Sequence, residues 1–245
     1  MRTGERETTS SRSRFQLNSW SKLERMSAPR PFAVLFDLDG TLIDSIGLLL
    51  DCVRHTFEGR APAPTEAEWI AGIGTPLQKQ LAQYVSSDEE ARELTHRYRT
   101  YQRIHHDRLT SAYPGVVETL TELERRGHPM GVVTSKSNEM MDMGLVHVGL
   151  DQFMRTKIGM DSCKIHKPDP FPVTLALKEL GYSPSEAVFV GDSPHDIQSG
   201  NGAGVISIAA LWGPFMKEQL EPSRPSKFLT RIEDLPSLLD EVQSA

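Results

Sequence analysis

Asp37-Leu38-Asp39 places two carboxylates at i and i+2 where the apolar run Phe32-Ala33-Val34-Leu35-Phe36 ends, and Gly40-Thr41 behind them permits a sharp turn. A capped turn with two solvated acids is the plain reading, since Asp-Gly-Thr is a common turn sequence. Open α/β sheets, however, build their sites where apolar strands run out, so an acid pair at that place points to chemistry. Asp37 can attack phosphorus as a nucleophile. Asp39 can give a proton to the leaving oxygen and later take one from the water that frees the intermediate. A carboxylate approaching a phosphate dianion needs positive charge between them. A hard cation with oxygen ligands supplies it, and Mg²⁺ is the natural choice.

Such a cation requires more acids at another strand end, and Val188-Phe189-Val190-Gly191-Asp192-Ser193-Pro194-His195-Asp196 supplies them. Asp192 follows the apolar run directly and is the stronger candidate metal ligand. Ser193-Pro194 is a helix start, so Asp196 is also explained as an acid in a first helical turn. A third strand end, Gly131-Val132-Val133-Thr134-Ser135, offers hydroxyls and backbone N–H groups for an anion; alone it would be an ordinary N-cap. Lys167 lies in Lys164-Ile165-His166-Lys167-Pro168-Asp169-Pro170, where two prolines stiffen the approach to a helix, and a Lys so held can reach phosphoryl oxygens.

These residues need a scaffold, and the rest of the chain alternates short apolar runs with amphipathic segments of helix length. Strands are expected at Phe32–Phe36, Met130–Thr134, Thr156–Gly159, Ala187–Gly191, Val205–Ala210 and Phe228–Leu229. Helices are expected at Val116–Arg126, Asn138–Val148, Pro170–Leu180, Pro194–Ala203 and Ile232–Val242. The alternation predicts an α/β fold: a doubly wound, Rossmann-like parallel sheet with crossover helices on both faces. From about Ile46 to Thr110 the alternation stops. Leu48, Leu49, Leu50, Val53 and Phe57, then Leu77, Leu81 and Val85, then Leu94, Tyr98, Tyr101 and Leu109 recur at helical spacing. The chain therefore divides into a catalytic core of residues 31–46 and 111–245 and an inserted helical cap of residues 47–110, whose apolar positions are read as the cap's own core. Residues 1–30 are rich in Arg, Ser and Thr without apolar period and are expected to form a disordered tail, with Met26 a candidate start.

Composition excludes several classes. The 245 residues carry 27 Lys+Arg against 33 Asp+Glu, a net charge of −6, without a basic block that would track nucleic acid. The two cysteines, Cys52 and Cys163, have no disulfide or zinc spacing, which suits a cytoplasmic protein. Apolar runs such as Val205–Trp212 are too short for a membrane span. No obligate protein partner is evident.

In order along the chain, Asp37-Leu38-Asp39-Gly40-Thr41, Thr134, Lys167 with Pro168-Asp169-Pro170, and Gly191-Asp192 with Asp196 resemble the four motifs of the haloacid dehalogenase-like hydrolase superfamily. The resemblance implies that Asp37 is nucleophile and metal ligand. It makes Asp39 the acid/base and a ligand through its carbonyl, and it has Thr134, Ser135 and Lys167 hold phosphate. Asp192 completes the Mg²⁺ site, with Asp196 in it or directly behind it. Ser135 stands where the group often has Asn, and a backbone N–H contact survives that change. The insert resembles the small α-helical cap of phosphoglycolate phosphatases, a related pyrophosphatase and β-phosphoglucomutase. Ile73-Gly74-Thr75-Pro76-Leu77 resembles the cap turn, and His105-His106-Asp107 with Tyr113-Pro114-Gly115-Val116 the return to the core. The two histidines are read as exposed helix residues. The resemblance implies a Mg²⁺-dependent phosphatase of a small phosphorylated metabolite, 2-phosphoglycolate first. Inorganic pyrophosphate and a sugar phosphomutase of the β-phosphoglucomutase type are the alternatives. Asp39 speaks against a dehalogenase, and the intact motifs speak against a non-catalytic binding protein.

Overall fold

The computed structural model describes Met1 and residues 30–244; the tail expected over 1–30, with Met26, falls almost wholly outside the described residues. From Pro31 onward the chain forms one contact unit. Its centre is a six-stranded sheet of β1 (Ala33–Phe36), β4 (Met130–Val133), β5 (Met154–Ile158), β6 (Ala187–Gly191), β7 (Ile206–Ala210) and β8 (Lys227–Leu229), in the order β5-β4-β1-β6-β7-β8. All five pairings are parallel. Every residue of β1, β4 and β6 is buried, as a sheet covered on both faces requires. The covering helices are α5 (Val116–Arg125), α6 (Asn138–His147), α7 (Phe171–Leu180), α8 (Pro194–Ala203) and α10 (Leu235–Gln243), while a short α9 (Lys217–Leu220) lies between β7 and β8. One apolar cluster on the α5/α6/α10 face holds Val34, Phe36, Val132, Val188, Val190, Leu120 and Leu239. Another gathers Ala33, Leu35, Phe189, Val173 and Leu177.

Because the sequence passes from β1 to β4 and β5 on one side and then returns to lay β6 on the other, the strand order reverses at β1. Parallel sheets open a crevice at such a point, beyond the carboxyl ends of the strands. Asp37, Thr134 and Asp192 are the residues that directly follow β1, β4 and β6.

The insert is helical: α1 (Ile46–Thr56), α2 (Glu66–Ala71), α3 (Leu77–Leu81) and α4 (Asp88–His105). Its starts are capped by local chemistry. Thr65 and Glu68 form a reciprocal capping box on α2, and the Ser87 hydroxyl accepts from Glu90 N at the start of α4, whose first turn carries Asp88, Glu89 and Glu90. Leu48, Leu49, Cys52, Val53, Phe57, Trp69, Leu81, Leu94 and Tyr98 form one buried cluster that continues into Ile197, Ala209 and Phe215 of the sheet domain. The insert thus shares its apolar interior with the sheet domain.

Two features depart from expectation. The linkers pair as a two-stranded antiparallel ladder, β2 (Ile43–Asp44) with β3 (Ser111–Ala112), too short for any period-2 pattern to reveal. His106 is fully buried rather than exposed. Its Nδ1 lies 2.8 Å from Asp107 Oδ1, and it sits over Gly144 of α6, where a Cβ would approach its Nε2 to 3.6 Å. Among the described residues no helix is long and apolar enough to cross a membrane.

Candidate active site

The turn after β1 is built by its own backbone. Leu38 O accepts from Leu42 N at 3.0 Å and from Ile43 N at 2.9 Å, and Gly40, at φ +87°, donates to Ile43 O. A left-handed residue is needed there and a side chain is forbidden, since a Cβ on Gly40 would lie 2.6 Å from Asp192 Oδ2. The turn therefore brings the ends of β1 and β6 into contact. Thr41 Oγ1 donates to Asp192 Oδ1 at 2.7 Å.

Lys167 is the hub of the buried charges. Its Nζ donates to Asp37 Oδ1 at 2.8 Å, to Asp196 Oδ1 at 2.6 Å and to Val133 O at 3.1 Å, which uses all three ammonium protons. Lys167 and Asp196 are almost fully buried and Asp37 nearly so. Burial opposes the Lys167 charge, but Asp196 and Asp37 outweigh it and hold the ammonium above its ordinary pKa. For Asp37, burial and then the neighbouring Asp196 raise the carboxyl from 3.8 to about 7, with Lys167 offsetting part of the shift. Asp192 is pushed well above the carboxylate range, first by burial and then by Asp196 and Asp37.

One oxygen from each of Asp37, Asp192 and Asp196 lies within 4.8 Å of the others. Asp196 Oδ2 is committed to Ser193 N at 2.9 Å and Ser193 Oγ at 2.6 Å, a capping box, so both readings of Asp196 hold at once: it caps α8 and it stands in the acid cluster. Asp192 Oδ2 is buried with no hydrogen-bond partner among the described residues. Three crowded carboxylates, one with an orphaned oxygen, against a single ammonium are a donor set suited to a hard divalent cation. If so, Asp192→Asn relieves crowding when no metal is present. Thermal unfolding in chelator is expected to shift upward or not at all, and the increase in melting temperature produced by millimolar Mg²⁺ in the wild type is expected to vanish. A variant that gained as much from Mg²⁺ as the wild type would remove Asp192 from the metal site.

Asp39 stands apart from this cluster. Its Oδ1 accepts from Lys136 Nζ and from Ser45 Oγ, each at 2.5 Å, which leaves Oδ2 uncommitted among the described residues. Lys136 is buried and was not recognised from sequence, where a Lys two residues past a strand end looks like a surface cation. A cleft with about 590 Å³ of empty space, part of it open to solvent, lies over these groups. From the sheet domain it is lined by Asp37, Asp39, Thr134, Ser135 and Lys136; from the insert it is lined by Trp69, Gly74, Tyr98, Arg99 and Gln102 among others. Thr134 is buried, and its Oγ1 accepts from Lys136 N at 3.3 Å. The Ser135 hydroxyl is turned to the insert, donating to Gly74 O at 2.5 Å. Its backbone N–H is the group left for an anion. Gly74, at φ +95°, sits so close to Ser193 and His195 that a Cβ would meet each at 3.0 Å. The structure thus brings together Asp37, Asp39, Thr134, Ser135, Lys167, Asp192 and Asp196 at the carboxyl ends of three adjacent strands, beneath the helical insert.

The comparisons with known proteins agree with this architecture. The haloacid dehalogenase-like hydrolase family matches residues 34–210, and the chain belongs to that family. It is an enzyme, a phosphatase of the family. The pyrophosphatase PpaX of Bacillus velezensis is 37% identical over 211 residues, covering 86% of this chain and 97% of its own. Among solved structures, a hydrolase from Pseudomonas syringae superposes with a TM-score of 0.76 at 24% identity, over 86% of this chain and 98% of its own. One described as a predicted phosphoglycolate phosphatase from Haemophilus somnus also reaches 0.76, at 23% identity, over 86% and 99% of the two chains. At those identities the structural likeness speaks to fold alone.

Proposed function

We propose that this phosphatase is Mg²⁺-dependent and hydrolyses a small phosphorylated metabolite through a phosphoryl group carried on Asp37. The observation that carries the reading is the Asp37/Asp39 pair at the end of the central strand, with Asp37 held by Lys167 and Asp39 by Lys136 on the floor of one cleft. An oxygen of Asp37 attacks phosphorus as the bond from phosphorus to the leaving oxygen breaks, and a proton from the Asp39 carboxyl neutralises that oxygen. Water then attacks the same phosphorus, Asp39 takes its proton, and Asp37 leaves as a carboxylate. Lys136 and Ser45 hold Oδ1 of Asp39, so the uncommitted Oδ2 is the oxygen that moves the proton. Thr134 and the Ser135 N–H bind the non-bridging phosphoryl oxygens, and Lys167 joins them by exchanging one of its three present acceptors for a phosphoryl oxygen. The Asp37 and Asp192 carboxylates and the Asp39 carbonyl are the groups that would hold Mg²⁺, with Asp196, whose two oxygens are held by Lys167 and Ser193, in that set or directly behind it. When bound, the ion neutralises charge between the attacking carboxylate and the phosphate.

For substrate, the similarity to pyrophosphatases along nearly their full length puts inorganic pyrophosphate ahead of 2-phosphoglycolate, which the cap resemblance alone favours. Phosphate release from a panel of pyrophosphate, 2-phosphoglycolate, sugar phosphates and nucleoside monophosphates, with Mg²⁺ or with EDTA, decides between them. Mg²⁺-dependent release from pyrophosphate at a kcat/KM at least about 10-fold above the other compounds is the expected result, a difference of about 1.4 kcal/mol in transition-state binding. Release unaffected by EDTA would contradict the metal assignment. A sugar phosphate isomerised without release would place the chain among the mutases.

A further inference from the structure

Three cations line or underlie the cleft, and two of them are already neutralised. Lys167 is paired with Asp37 and Asp196, and Lys136 with Asp39. The third is Arg99, on the last turns of α4. Its guanidinium makes one hydrogen bond, to the neutral Ser137 hydroxyl at the start of α6, and no carboxylate among the described residues lies within ion-pair distance of it. The nearest acids have other partners: Asp161 accepts from Asn138 N at 2.9 Å, and Glu139 is held by both arms of Arg103 at 2.8 and 2.7 Å. Burial holds the Arg99 pKa below its ordinary value, as expected of a cation drawn from water with no counter-charge.

Gln102 lies three residues on, one helical turn along the same face, and also lines the cleft. Only 3% of the residue is exposed, at the wall of the cleft. A guanidinium fork without a carboxylate, with a side-chain amide one turn along on the same cleft wall, is poorly placed for stability. It is well placed to receive a planar or tetrahedral anion.

We propose that Arg99, with Gln102 beside it, binds a second anionic group of the substrate, a carboxylate or a phosphate, at the end away from the phosphoryl group that Asp37 attacks. This rests on the phosphohydrolase reading and narrows it. The site selects compact substrates with negative charge at both ends, and a neutral alcohol leaving group forfeits the contact. Arg99 is then a specificity residue that reaches in from the insert, and Ser137 orients it.

Matched substrates test this. Pyrophosphate and 2-phosphoglycolate carry the second anion; 2-hydroxyethyl phosphate has nearly the size of the latter and lacks it. Arg99→Met is expected to lower kcat/KM for the two anionic substrates by about 10- to 150-fold, the range for losing a hydrogen bond to a charged group, chiefly through KM. The change on 2-hydroxyethyl phosphate should be under about 3-fold, and Arg99→Lys should fall between wild type and Arg99→Met on the anionic pair. Ser137→Ala, which removes the hydroxyl that orients Arg99, should weaken the anionic pair in the same direction as Arg99→Met but less. Equal losses on all three with Arg99→Met would make Arg99 a latch and overturn the proposal, as would no loss. Calorimetry on an Asp37→Asn background separates this from failure of the phosphohydrolase reading. Weaker binding of 2-phosphoglycolate but not of 2-hydroxyethyl phosphate on adding Arg99→Met would support the anion site even if no compound is turned over. Absent binding of 2-phosphoglycolate, or equal weakening of both, would refute it.

Discussion

Asp37→Asn is expected to reduce phosphate release by on the order of 10⁴-fold or more, because the amide cannot attack phosphorus and no other carboxylate replaces it at the end of β1. The variant should fold. Asn keeps the shape and accepts from Lys167, which retains Asp196 as its ionic partner. Stability should even favour it in chelator, with a sign set by linkage. Burial and Asp196 raise Asp37 from 3.8 to about 7, so the folded protein holds a proton that the unfolded chain has already released. A carboxyl raised in this way contributes stability fully present below its unfolded pKa and lost as pH rises through its folded one. In chelator the variant should therefore gain on the wild type between about pH 4 and pH 7, with the advantage levelling off above that. Urea unfolding of both proteins at pH 5, 6, 7 and 8 in EDTA reads it. An advantage that shrinks with rising pH would reverse the assignment of the shift, and residual phosphatase activity within about 10-fold of wild type would remove Asp37 as nucleophile.

Lys167→Met should have the largest effect on stability. Among the described residues its ammonium is the one cation within reach of two buried carboxylates, and removing it leaves Asp37 and Asp196 facing each other and Val133 O without its donor. Breaking a buried ion pair from one side costs about 3–5 kcal/mol, and solvent screening does not reduce this where the partners are almost wholly enclosed. A domain of this size has about 5–15 kcal/mol in total, so the variant should unfold at much lower urea and lose activity. Adding Asp37→Asn to Lys167→Met should recover part of the loss, since it removes one of the stranded charges, and the double-mutant cycle measures that coupling. A loss below about 1 kcal/mol would mean that the acids relax to solvent or protonate without cost, and that Lys167 serves binding alone.

Both substitutions fall on residues whose places were legible in the chain itself. Val34-Leu35-Phe36, Gly131-Val132-Val133 and Val188-Phe189-Val190 are fully buried strand interiors, and such a strand must be apolar along its whole length. The residue at which apolarity stops therefore marks the strand end, and Asp37, Thr134 and Asp192 were found by that local rule. Helix starts were equally local. Ser193-Pro194 with Asp196 satisfies its own N-terminus, and α8 begins at Pro194 as expected. The last helix is the exception. Its first turn is a 3₁₀ segment, Ile232–Asp234, and the α-helix begins only at Leu235.

The destinations of flexible or neutral-looking side chains were decided by tertiary structure. Lys136 and Arg99 are ordinary cations in sequence. One becomes the partner of Asp39 because β1 and β4 are neighbours in the sheet, and the other a half-buried guanidinium facing the cleft because the insert lies over the strand ends. His106 is enclosed against a helix that begins 32 positions away, where it meets His147 and Gly144, and the β2–β3 ladder exists because the two linkers meet. Local patterns record what a segment must bury against a sheet, and that burial repeats with the period of the element. A contact between distant segments leaves no period in either of them. The sequence alone therefore determined the sheet, its order of elements and the acids at the strand ends, and the folded chain decided which cations, amides and hydroxyls those acids and their substrate would meet.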